Sequence, residues 1–156
     1  MARELAVGSK APAFKLPRDG GSQVSLADFK GRKLVLYFYP KADTSGCTRE
    51  AMDFSRLAKD FAKAGTDIVG VSADPVPRQE AFSRKYKLKI PLASDEKKKV
   101  LGAYGVWVEK SMYGRKYMGI ARTTLLIGPD GRVAALWPKV KIPGHAEEVL
   151  AAAKAL

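Results

Sequence analysis

The sequence is poor in the residues that build disulfide and metal frameworks. Its 156 residues include one cysteine and one histidine, which excludes an internal disulfide, a cysteine-based zinc site and any multi-histidine metal site. Long hydrophobic runs are missing too. The longest strongly apolar stretch, Leu34 to Tyr39, falls far short of the roughly 20 residues that a bilayer crossing needs. The opening residues Met1 to Leu5 carry a charge pair and no apolar segment, so no secretory leader is expected and the cytoplasm is the expected location. Acidic residues are scarce, 16 against 28 Lys+Arg, for a formal charge of +12. Such an excess suits nucleic acid or an anionic surface. However, the basic residues are spread along the chain, and the densest cluster, Lys97-Lys98-Lys99, directly follows Asp95-Glu96. Aromatic residues do not interleave with these lysines as they would on a strand-binding face. The charge is therefore read as a solvated surface. A basic nucleic-acid-binding module with a vestigial thiol is kept as the alternative function.

What is present fits one globular domain over residues 1–156. The hydrophobic fraction of 46% beside 28% charged residues is ordinary for a folded protein of this length. Lys33 to Tyr39, bounded by Gly31 and Pro40, reads as a strand buried on both faces of a parallel sheet. From Thr48 to Lys63 the apolar positions Ala51, Phe54, Leu57, Ala58, Phe61 and Ala62 form a single helical stripe, closed by Gly65. Asp67 to Ala73 is a second buried strand, and Pro77 to Tyr86 a helix. Leu92 to Ser94 reads as a short strand and Lys97 to Tyr104 as a short helix. Residues 105–119, rich in glycine and charge, read as a surface loop. Thr123 to Ile127 and Arg132 to Trp137 flank Gly128-Pro129-Asp130-Gly131, a hairpin signal, and an Ala-rich helix from Gly144 to Leu156 closes the chain. This order predicts an α/β fold with a mixed central sheet and helices on both faces, the order of a thioredoxin-like fold.

The lone thiol, Cys47, falls at a strand–loop–helix junction. A helix opening there offers unpaired N–H groups and a positive dipole end, which favour thiolate over thiol. The end of a buried strand is also where open α/β sheets place their crevices. Thr44 precedes the thiol by one helical turn, so its hydroxyl can donate to the sulfur or to a bound oxygen substrate. Pro40 has no N–H and a fixed φ, so it can wall a pocket without adding a donor.

The segment Phe38-Tyr39-Pro40-Lys41-Ala42-Asp43-Thr44-Ser45-Gly46-Cys47-Thr48-Arg49-Glu50-Ala51 contains Pro-x-x-x-Thr-x-x-Cys. It resembles the active-site signature of the peroxiredoxins, in particular the bacterioferritin comigratory protein (peroxiredoxin Q) branch. The resemblance extends to Val7-Gly8, Ala11-Pro12-x-Phe14, Gly70-Val71-Ser72-x-Asp74 and Gly119-Ile120-x-Arg122-x-Thr124-x-Leu126-Ile127. It covers nearly the whole chain and implies a thioredoxin fold and reduction of hydrogen peroxide and organic hydroperoxides. No metal, haem or flavin is implied. In that reading Cys47 is the peroxidatic nucleophile, Arg122 the active-site arginine and Thr44 the hydroxyl. Pro40 shields the pocket, and Glu50 is the acid that holds the arginine. Ser45 stands where the family has proline. The implied reductant is thioredoxin, glutaredoxin or glutathione, and a monomer is the usual form.

A second thiol is absent. The two positions where this branch places a resolving cysteine hold Met52 and Ser83. Two explanations stand. Either Cys47 works alone and an outside thiol reduces its sulfenic acid, or Ser83 replaces a resolving cysteine. Other candidates are set aside. His145 is expected to cap or decorate the last helix, and Trp107 and Trp137 to pack in the core or hairpin. Met112-Tyr113-Gly114 is a candidate for the pocket rim.

Overall fold

A computed structural model describes residues 5–156 of the chain. Its centre is a five-stranded mixed sheet. The strand β3 (Lys33–Phe38) lies in the middle, parallel to β4 (Thr66–Ser72) and antiparallel to β8 (Thr123–Ile127). β5 (Leu92–Ser94) extends the parallel side. β9 (Val133–Trp137) returns from β8 through the expected Pro129-Asp130-Gly131 turn. Every residue of β3 after Lys33 is buried, which explains the unbroken apolar run: a strand covered on both faces has no solvent side to alternate with.

The alternation of β3 divides two cores. Val35 and Tyr37 point into one with Phe54, Phe61, Phe82 and Val149, supplied by α1 (Ser45–Arg56), α2 (Ala58–Lys63), α3 (Val76–Tyr86) and α5 (His145–Ala155). Leu34, Leu36 and Phe38 point into the other, which is closed by α4 (Lys99–Ala103) and by the hairpin of β1 (Lys15–Pro17) and β2 (Gln23–Ser25). Gly70 of β4 pairs in register with Tyr37. A Cβ there would stand 2.7 Å from the tyrosine ring carbon Cζ, so only glycine lets that ring lie across the sheet.

Three expectations need correction. The stripe from Thr48 to Lys63 is two helices, which part at Leu57, where ψ is 3°. The apolar stripe runs on across the break, so the pattern gave no sign of it. Residues 105–119 are no loop: β6 (Trp107–Met112) and β7 (Arg115–Ile120) form a hairpin. Its turn is Tyr113-Gly114, with φ of 52° and 76°, the paired positive φ that two-residue hairpin turns require. Both strands are largely solvent-facing, so they lack the apolar alternation that marks a half-buried strand. His145 is not at the surface. It is buried, with Nε2 2.8 Å from Thr124 Oγ1, and packs edge-on against Phe54 and Trp137.

Candidate active site

The end of β3 delivers Tyr39 and Pro40, and the chain then crosses residues 41–44 to enter α1 with Thr44 in the N-cap position, φ −88° and ψ 158°. The first backbone bond into the helix runs from Thr48 N–H to Thr44 C=O at 2.8 Å. The amides of the opening turn, which includes Cys47, have no acceptor further back in the helix and leave its positive end at the sulfur.

The entering loop is tied from two sides. From below, the Asp74 carboxylate accepts the Ala42 N–H at 2.7 Å and the Ser72 hydroxyl at 2.6 Å. Gln79, fully buried, donates to Ser72 Oγ at 2.9 Å and accepts from the Tyr39 hydroxyl. From outside, Asp43, in a left-handed conformation (φ 63°), accepts from the Lys85 ammonium at 3.0 Å and the Tyr86 hydroxyl at 2.7 Å. Asp74 stood in the sequence signature with no role attached. Its partner Ala42 is 32 residues away, so no local pattern could have assigned one.

The sulfur of Cys47 is enclosed, with only 1% of the residue exposed, and Arg122 reaches it from the junction of β7 and β8. Its Nη2 donates to Cys47 Sγ at 3.2 Å and its Nη1 to Glu50 Oε1 at 2.6 Å. Glu50 follows Cys47 by three residues, on the same helix face. At its other end the Arg122 carbonyl accepts the Val140 N–H at 3.0 Å. Burial pushes the Glu50 carboxyl up to about 7, against the pull of the Arg122 guanidinium. Its second oxygen, Oε2, is buried without a hydrogen-bond partner among the described residues. A side chain from beyond β9 also comes close to the start of α1: a Cβ on Gly46 would meet Ile142 Cδ1 at 3.2 Å and Arg122 Nη2 at 3.4 Å.

The five residues singled out in the sequence are thus partly assembled. Cys47, Arg122 and Glu50 form one hydrogen-bonded cluster, and Pro40 is half-buried at the end of β3. Thr44 is exposed, and its hydroxyl donates to the Lys41 carbonyl at 2.8 Å rather than to the sulfur. Tyr113, in the turn expected at the pocket rim, is 98% exposed. Ser83 lies half-buried on α3. Ile142 was missed, and nothing in its neighbourhood in the sequence marks it.

A thiol at a helix start, beyond the end of the central strand and with a guanidinium on its sulfur, defines a thioredoxin-like thiol protein. The profile of the AhpC/TSA family matches residues 7–136. The chain belongs to that family, on its bacterioferritin comigratory protein (peroxiredoxin Q) branch. A peroxiredoxin Bcp of Xanthomonas campestris is 46% identical over 147 residues, which are 93% of this chain and 92% of the relative. The structure of a peroxiredoxin Q mutant from Xylella fastidiosa superposes with a TM-score of 0.93 at 37% identity and covers 99% of this chain and 98% of its own. A Xanthomonas campestris bacterioferritin comigratory protein, described through trapped intermediates of its alkyl peroxide reduction activity, superposes with a TM-score of 0.87 at 46% identity and covers 91% and 90%. Two further structures of the Xanthomonas protein each carry one Cys→Ser replacement, and the two cysteines concerned are as far apart there as Cys47 and Ser83 are here.

Proposed function

We propose that this chain is a thiol-dependent peroxidase that reduces hydrogen peroxide and organic hydroperoxides to water and alcohols, in antioxidant defence and redox homeostasis. The observation that carries this reading is the Arg122 guanidinium, 3.2 Å from Cys47 Sγ and 2.6 Å from Glu50. The thiolate is the nucleophilic form of cysteine, and a guanidinium that donates to the sulfur is a partner for that anion.

The Cys47 thiolate attacks one peroxide oxygen. A sulfur–oxygen bond forms as the oxygen–oxygen bond breaks, the attacked oxygen keeps its proton in the sulfenic acid, and the electron pair leaves on the far oxygen, which takes a proton from solvent and departs as water or alcohol. Sulfur is oxidised to the sulfenic acid and the peroxide is reduced. Arg122 polarises the breaking bond and stabilises the charge that builds on the leaving oxygen. Glu50 holds Arg122 in line. The Thr44 hydroxyl, whose own proton lies on the Lys41 carbonyl, keeps lone pairs that can accept a hydrogen bond from the peroxide O–H, and Pro40 walls the pocket without a competing donor.

With Met52 and Ser83 in place of a second thiol, an outside thiol completes the cycle. One equivalent condenses with the sulfenic acid to a mixed disulfide and water. A second releases Cys47 and leaves as the outside disulfide. Thioredoxin, glutaredoxin and glutathione are the candidate donors, and the protein acts as a cytoplasmic monomer in which one domain carries the whole activity. Among the described residues no helix is long and apolar enough to cross a membrane. The nucleic-acid alternative gains nothing from the relatives, whose names are those of peroxidases.

Peroxide consumption by the purified protein, with each donor supplied in turn, tests the reading. Turnover with at least one donor, abolished in Cys47→Ser, is the expected result. No consumption with any donor, even in a single turnover, would overturn it.

A further inference from the structure

The buried polar chain beneath the entering loop has no part in the scheme above. Gln79 is fully buried on α3, three residues before Phe82, at a position where an apolar side chain is the rule. Both ends of its amide are used. Nε2 donates to Ser72 Oγ and to the Ala93 carbonyl, each at 2.9 Å, and Oε1 accepts from the Tyr39 hydroxyl. Ser72 in turn donates to Asp74 Oδ2 at 2.6 Å, and the same oxygen accepts the Ala42 N–H at 2.7 Å. The other Asp74 oxygen faces the exposed Arg78, with Nε 3.5 Å away. A buried chain whose members are all satisfied fixes one arrangement of the groups at its ends. Ser72, Ala93 and Gln79 belong to β4, β5 and α3, so the chain is anchored in the scaffold. Its two remaining ends, Tyr39 and Ala42, lie on the loop, with only Pro40 and Lys41 between them. The Lys41 carbonyl accepts the Thr44 hydroxyl at 2.8 Å. The Thr44 carbonyl accepts the Thr48 N–H at the opening of α1, beside Cys47. The chain therefore grips the loop on both sides of the residues that set Pro40 and the direction of the Thr44 hydroxyl.

We propose that Asp74 and Gln79, with Ser72 between them, are positioning residues of the peroxidase reaction, which hold the loop so that Pro40 and Thr44 meet the peroxide in the geometry of attack by Cys47. The proposal rests on the peroxidase reading and extends it to residues that act only through Tyr39 and Ala42. Orientation is where a small displacement matters most: a shift of about 1 Å can cost about 10²-fold in rate. The placement of the chain's ends separates this role from plain packing. A network that served the core alone would close within β4, β5 and α3, whereas this one places a bond at each side of Pro40-Lys41.

The test compares two single-turnover rate constants of the intact protein, oxidation of Cys47 by hydrogen peroxide and its alkylation by iodoacetamide. Alkylation needs an ionised, reachable sulfur but no oriented peroxide. The ratio of the two rates therefore reads orientation, and a loss of stability that leaves the protein folded does not move it. Asp74→Ala removes the acceptor of the Ala42 N–H, while Asp74→Asn keeps an oxygen for it. Asp74→Ala is expected to lower the ratio of peroxide to alkylation rate about tenfold, and Asp74→Asn to restore it to within about twofold of wild type. Tyr39→Phe cuts the other end of the chain and keeps the ring in the core. It is expected to lower the ratio about threefold, and it carries the test alone should Asp74→Ala not fold. A folded Asp74→Ala or Tyr39→Phe with the wild-type ratio would overturn the proposal. So would an asparagine variant as impaired as the alanine one, because the charge of Asp74 rather than its bond to the loop would then matter. Failure of wild type itself to consume peroxide, with alkylation intact, would instead strike the underlying reading.

Discussion

At Glu50 a carboxyl is enclosed to 2% exposure with one oxygen on a guanidinium and the other without a partner. Burial raises its pKa from 4.5 to about 7. Between those values the folded protein binds more protons at this position than the unfolded chain does. Its contribution to stability is therefore fully present below pH 4.5 and lost as pH rises through about 7. Glu50→Gln cannot ionise, so denaturant melts should find its stability curve flatter across this window and the variant stabler relative to wild type at pH 8 than at pH 5. An unchanged difference between the two pH values would count against the assignment. The buried histidine acts in the opposite sense. Burial lowers the pKa of His145, so its contribution is present above the unfolded value of 6.5 and lost as pH falls through the depressed one. The single substitution isolates the glutamate from that background.

At the scale of elements, the pairing of β3 with β4 shows how a short signature hides a packing rule. Tyr37 stacks on Phe54 at 4.8 Å between ring centres and has Gly70 opposite it on the neighbouring strand. Gly70→Ala would push a methyl group to 2.7 Å from the tyrosine ring. The expected cost is about 1–3 kcal/mol, read as a lower midpoint in urea with the slope kept; a midpoint unchanged from wild type would contradict the packing described. The sheet and its helices were legible because buried strands and amphipathic helices write continuous runs and stripes into the sequence. The β6–β7 hairpin was not legible, because strands that meet water on both sides write no such pattern. Only the pairing of Tyr113 with Gly114 hinted at its turn. The break at Leu57 was invisible for the opposite reason, since the stripe continues through it.

At the scale of the whole molecule, the site exists only because distant segments converge. Cys47 and Arg122 are 75 residues apart, and Glu50 and Arg122 are 72. The nucleophile was legible on its own, as the lone thiol at a strand–helix junction. The arginine and the glutamate were legible only through a family resemblance, because nothing local to either announces the other. Asp74 and Ile142 were not assigned roles at all: one is met at a backbone amide and the other at a glycine gap, which sequence spacing does not encode. Convergence on one sulfur atom is also the claim on which the function depends. The most direct measurement is the single-turnover reaction of Arg122→Ala with hydrogen peroxide, followed by the loss of free thiol at neutral pH. A drop of about 10²–10³-fold, with the fold intact, is predicted for removal of the main charge-stabilising donor. A rate equal to wild type would show that the guanidinium on Cys47 takes no part in the chemistry, and the account of this site would fail.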